Sequence, residues 1–132
     1  MSRHHLFDPE GLAPARGFSY GALPAEGRVL HLAGITGHQE DGTIEEGIVE
    51  QFATACRSVA RVVSAAGGQP SDLVSVTIYT SEIGAYRQSL GPIGNAYRAV
   101  FGKHYPPMAL IGVDELMDPK ALVELVCVAV VP

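Results

Sequence analysis

The run from Ala121 to Val131, Ala-Leu-Val-Glu-Leu-Val-Cys-Val-Ala-Val-Val, constrains the fold of this chain more than any other stretch. It is dense in β-branched residues, which favour a pleated, packed strand, and too short to cross a membrane as a helix. Side chains alternate along a strand, so Val123, Leu125, Cys127, Ala129 and Val131 share one face. Leu122, Glu124, Val126, Val128 and Val130 share the other. A strand apolar on both faces must be covered on both. The chain's own helices can cover one face, and a second copy of the chain is the expected cover for the other. Glu124 is the one charge in the strand. Its expected roles are to hold water in a pocket or to anchor to amides or an Arg of a neighbouring chain.

The rest of the chain supplies what must pack there. Residues 1–16 read as an extended arm, Phe18–Leu23 as a short strand, and Arg28–Thr36 as an alternating strand. After a polar loop, Thr43-Ile-Glu-Glu46 has the form of a capping box. The stripe Ile48, Phe52, Ala55, Cys56, Val59, Val63 and Ala66 then predicts a long helix ended by Gly67-Gly68. Leu73–Thr80 reads as a strand with Val74, Val76 and Ile78 on one face. A second helix is expected over Gly84–Phe101, kinked or split near Gly91-Pro92 because proline removes a backbone donor. Tyr105 to Val131 reads as two apolar runs joined by a polar turn, a terminal hairpin. The order β-β-α-β-α-β-β predicts one α+β domain over residues 1–132, a mixed sheet with both helices on one face.

Net charge is −5, and no run of Lys or Arg occurs, so nucleic acid and anionic membrane surfaces are not expected partners. No apolar segment is long enough to span a membrane. Cys56 and Cys127 lie in apolar patterns and read as buried free thiols, which points to a reducing cytoplasm. His4, His5, His31, His38 and His104 form no metal-ligand spacing, so no metal is expected. His104 reads as a solvated loop residue.

The succession Gly17-Phe-Ser19, Leu32-Ala-Gly34, Ala65-Ala-Gly-Gly68, Leu73–Thr80, Tyr97-Arg-Ala-Val-Phe101, Tyr105-Pro106 and Leu122-Val-Glu-Leu125 resembles the reactive intermediate deaminase family. That family is also called RidA or YjgF and is sometimes labelled endoribonuclease L-PSP. The resemblance implies a chorismate-mutase-like fold and a homotrimer whose open sheet faces form a central barrel, with a small-molecule pocket at each subunit interface. It also implies cofactor-free hydrolysis of enamines and imines to 2-oxo acids and ammonia.

Carried over residue by residue, the resemblance makes Glu124 the catalytic acid that holds water. The pocket positions fall at Phe18, Ala33, Gly34, Gly94, Tyr105, Met108 and Ala109. Several depart from the family pattern. Met108 stands where the family has the Arg that clamps a carboxylate, and a thioether cannot replace a bidentate guanidinium. Phe18 keeps the ring of a pocket Tyr without its hydroxyl, Ala33 replaces a Ser, and Gly94 replaces an Asn, with Asn95 adjacent. Standard 2-imino acid deamination is therefore expected to be weak or absent. Two functions follow: a cofactor-free hydrolase using a water held by Glu124, or a non-catalytic trimer that binds or responds to a small apolar ligand. A ribonuclease role is disfavoured, because an acidic chain without a basic stripe grips phosphates poorly.

Overall fold

The computed structural model describes residues 2–132. Strands β1 (His5–Phe7) and β2 (Gly21–Leu23) pair antiparallel in a small separate sheet. The main sheet contains β3 (Arg28–His31), β4 (Ile35–Thr36), β5 (Leu73–Thr80), β6 (Met108–Gly112) and β7 (Val123–Val131). Its order is β3-β7-β5-β6, with β4 also on β7. The helices are α1 (Ile48–Ala65), α2 (Ile83–Gln88) and α3 (Leu90–Phe101). No helix among the described residues is long and apolar enough to cross a membrane.

β7 is the central strand. Val123, Leu125, Cys127, Ala129 and Val131 are all buried in a core shared with Phe52, Val59 and Val63 of α1 and Ile93, Tyr97 and Phe101 of α3. Burial of each large side chain contributes roughly 1.5–3 kcal/mol. Of the opposite face, Leu122, Glu124, Val126 and Val128 remain part-exposed. Val130 is buried because the arm folds back over it, with Arg3 Nη2 and His4 Nε2 bonded to its carbonyl at 3.0 and 2.9 Å. On β3, Val29 pairs with Val130 and is 60% exposed. The α+β architecture with helices on one face thus follows the expectation, and one sheet face stays open.

Several local expectations are corrected. The terminal hairpin does not form: β5 lies between β6 and β7, and β6 runs parallel to β5. Parallel neighbours need a crossover, and α2 with α3 supplies it, delivering β6 to the sheet edge. The alternation in β5 slips at a bulge between Leu73 and Ser75, so Leu73, not Val74, enters the core beside Val76 and Ile78. The strand expected over Arg28–Thr36 breaks between His31 and Ile35, and that expected over Phe18–Leu23 begins only at Gly21. The arm is not merely extended, since it contains β1. The second helix is two pieces, but the break falls at Ser89, ahead of Pro92. Pro92 then sits in the first turn of α3, where its missing N–H costs no helical bond.

The capping box also fails. Thr43 turns back on Asp41, whose Oδ1 accepts from the Thr43 N–H at 3.0 Å and from its hydroxyl at 2.6 Å. A bridge between His38 and Ile44 closes this loop, and α1 begins at Ile48 after Gly47. Asp and Thr side chains compete for nearby amides and favour turns. A buried side chain then ties the region together. Gln51 Nε2 donates to the carbonyls of Glu45 (2.7 Å) and Lys120 (3.0 Å), and its Oε1 accepts from the Leu122 N–H (2.8 Å).

His104 is buried rather than solvated, with Nε2 hydrogen-bonded to the Leu73 carbonyl at 2.8 Å. Desolvation pushes its pKa below the ordinary value, and the bond to Leu73 opposes the shift only in part. The unfolded chain gains this proton near pH 6.5, and the folded chain resists it. His104 should therefore destabilise the fold as pH falls below about 6.5 and leave it unaffected above. Melting temperatures at pH 8 and pH 5 test this. The acid-side loss should be smaller in His104→Gln than in the wild type, and an equal loss would refute it.

Candidate functional site

The structure divides the candidate residues into two groups on opposite sides of the sheet. The first lines a cleft of about 410 Å³ on the helix side: Phe18, Gly94, Tyr105, Met108 and Ala109, with Arg16 at its margin. Met108 pairs with the buried Val76 in the β5–β6 register, so it faces inward and packs on the core. Tyr105 stacks on Tyr97, with centroids 5.6 Å apart and planes inclined by 10°. Phe18 meets Tyr20 edge to face at 5.2 Å. The Ser19 hydroxyl donates to the Tyr105 carbonyl at 2.6 Å, which holds the Phe18 loop against the strand that carries Met108. The walls are otherwise aliphatic and aromatic, and no carboxylate lines the cleft. Such a cavity suits a small apolar ligand. Burial pushes the Tyr86 hydroxyl up to about 12, so it stays protonated near neutral pH. Asn95 does not reach the cleft: its Oδ1 accepts from Arg98 Nη2 at 2.9 Å on an exposed surface.

The second group lies on the open sheet face. Glu124 pairs across the ladder with Thr36 on one side and Tyr79 on the other. Its carboxylate lies directly over Gly34. A Cβ at position 34 would stand 2.3 Å from Glu124 Oε2 and 2.9 Å from its Cδ, so only glycine leaves the carboxylate this place. The ion pairs among the described residues join Arg3, His4 and His38 to Asp72 or Asp118, and none involves Glu124. Ala33 is exposed beside Gly34. Within one chain, Glu124 and Met108 therefore do not share a cavity.

A polar chain next to Glu124 escaped the sequence reading. Thr36 Oγ1 and His38 Nδ1 are 2.5 Å apart, and His38 Nε2 and Asp118 Oδ2 are 2.7 Å apart. Asp118 is eighty residues from His38, and no local pattern connects them. No group of His, Cys, Asp and Glu among the described residues is arranged to hold a metal ion.

The sequence model of the endoribonuclease L-PSP family matches residues 10–131. The chain belongs to this family, also called Rid or YjgF. Among solved structures, the Rid protein from Yersinia pestis, itself of unknown function, is 24% identical with a TM-score of 0.78. The match covers 97% of this chain and 98% of that one. A YjgF/YER057c/UK114 family member from Mycobacterium tuberculosis is 26% identical with a TM-score of 0.66, covering 97% and 99%. A putative endoribonuclease from Thermotoga maritima is 23% identical with a TM-score of 0.70, covering 95% and 92%. No curated protein matches the chain. The Rid fold is thus shared along nearly the whole length.

Proposed function

We propose that this Rid protein is a cofactor-free hydrolase of small imines or enamines that lack a carboxylate, acting in the cytoplasm as a homotrimer. What carries the reading is the position of Glu124, an acid with no ion-pair partner on the open face of the central strand, in a place that Gly34 keeps free. Such a carboxylate can hold a water, take its proton as the oxygen adds to the imine carbon, and return a proton to the departing nitrogen. The carboxylate-free substrate class rests on the family resemblance, which puts a cation where this chain has Met108, and on an assembly that would bring one subunit's Met108 cleft, Arg16 included, to another's Glu124. The test compares two imine sources. In a coupled assay the protein should speed ammonia release from an imine made by an amine oxidase. It should leave release from the 2-imino acid of an amino-acid oxidase at the spontaneous rate. Acceleration of the second and not of the first would overturn the substrate class.

Assembly is part of this reading. The open face presents Val29, Val126 and Val128, and the edge strand β6 leaves Leu110 and Ile111 41% and 42% exposed. Exposed apolar strands of this kind call for a partner, and a trimer would bring the open faces together with ligand sites between subunits. Val128→Asp would place a charge in that interface at a cost of several kcal/mol. Light scattering should then report a monomer where the wild type is a trimer, and an unchanged trimer would show that the face is not the interface.

A second reading is favoured by the cleft itself. Its apolar walls and lack of a carboxylate suit binding without turnover, as in a trimer that senses an apolar metabolite.

A further inference from the structure

We propose that Thr36, His38 and Asp118 form a nucleophilic site for acyl transfer, distinct from imine hydrolysis. Asp118 Oδ2 can only accept from His38 Nε2–H when ionised, which leaves Nδ1 as the acceptor facing the Thr36 hydroxyl. That is the logic of an activated hydroxyl: nucleophile, base, and a carboxylate that fixes the base's tautomer. The members come from two segments distant in sequence, and each is held independently. Thr36 is fixed in the ladder opposite Glu124, and the backbone of His38 by its bridge to Ile44. Asp118 Oδ1 accepts from the Lys120 N–H at 2.9 Å, and Lys120 is in turn gripped by buried Gln51. Gly37 lets the strand end press onto α1, since a Cβ there would stand 2.6 Å from Gln51 Cα. In the single chain the His38 and Asp118 side chains are 32% and 36% exposed, at the end of the sheet where β4 and the loop before β7 meet.

In the reaction, Thr36 Oγ bonds to the acyl carbon and the hydroxyl proton passes to His38 Nδ1. The bond to the leaving oxygen breaks, and His38 returns the proton to that oxygen. Water then reverses the sequence and frees the acid. Glu124, across the ladder from Thr36, disfavours anionic substrates, so the acyl donor should be a small neutral or cationic ester.

The probe is p-nitrophenyl acetate, applied to the full chain, with p-nitrophenolate release followed and acetylated peptides mapped by mass spectrometry. Acetyl should appear on Thr36 and be absent there in Thr36→Val. Thr36→Ser should restore it, and His38→Gln should slow it by about 10²–10⁴-fold, the usual cost of losing a general base. Melting curves of the variants verify that each is folded. No acetyl on Thr36 in the wild type, or an unchanged rate of Thr36 acetylation in folded His38→Gln, would overturn the proposal and leave the three residues a brace between β4 and the β6–β7 loop.

Discussion

In Glu124→Gln, catalysed hydrolysis of a carboxylate-free imine should fall by about 10²–10⁴-fold, while folding and assembly persist. The amide keeps the size and hydrogen-bonding reach of the carboxylate and removes its proton transfer, which accounts for a loss of that order. No ion pair among the described residues uses the charge, so the substitution breaks none of them. Gly34→Ala offers a second route to the same result without touching the acid. The added methyl would sit 2.3 Å from Oε2 and force the carboxylate out of place. Activity should fall in both variants, read as ammonia release over the spontaneous rate, with the mass in solution the same as the wild type's. Full activity in Glu124→Gln would remove the acid from the chemistry and leave the apolar cleft as a site for binding alone.

Gln51→Leu should be among the most destabilising single substitutions in the chain. Leucine matches the volume but leaves the carbonyls of Glu45 and Lys120 and the N–H of Leu122 without their partner. An orphaned buried polar group costs about 1–3 kcal/mol, so the three together should cost roughly 3–5 kcal/mol where water enters in part. That is a large share of the roughly 5–15 kcal/mol that holds a domain of ordinary stability. Gln51→Glu is no rescue at neutral pH, because it directs a negative charge at two carbonyl oxygens. Urea unfolding checks both. A Gln51→Leu loss below about 1 kcal/mol would mean that these backbone groups find other partners. The same variant loosens the Lys120 segment and so should also impair the Thr36–His38–Asp118 site.

What sequence could and could not reveal divides along the range of the signal. The periodicity of β7 and α1 was legible because each depends on side chains a few residues apart, and both lie where the alternation and the helical stripe put them. Gly67 also follows its local rule, ending the helix region with φ of +87°. The capping box at Thr43 had the right residues, yet the Asp41 carboxylate two residues away competes for the same amide and wins. The proline in α3 was read as a breaker, but its cost depends on where the helix starts, and that is fixed by packing. The Thr36–His38–Asp118 chain and the grip of Gln51 on Lys120 and Leu122 join residues about seventy to eighty positions apart, beyond any local pattern.

By itself, the sequence determined that the last strand is apolar on both faces and that Val123, Leu125, Cys127, Ala129 and Val131 share the first of them. Both follow from alternation, which is a property of the strand alone. It also put one acid on the second face. Only the tertiary structure decided that β5 lies between the two apolar runs of the C-terminal region, because a ten-residue link between β6 and β7 permits several pairings and the crossover through α2 and α3 selects one. The same decision turned Met108 toward the helices, in register with Val76, and left Glu124 on the far side over Gly34. A strand's face depends on its register with its neighbours, and no single strand's sequence carries that information.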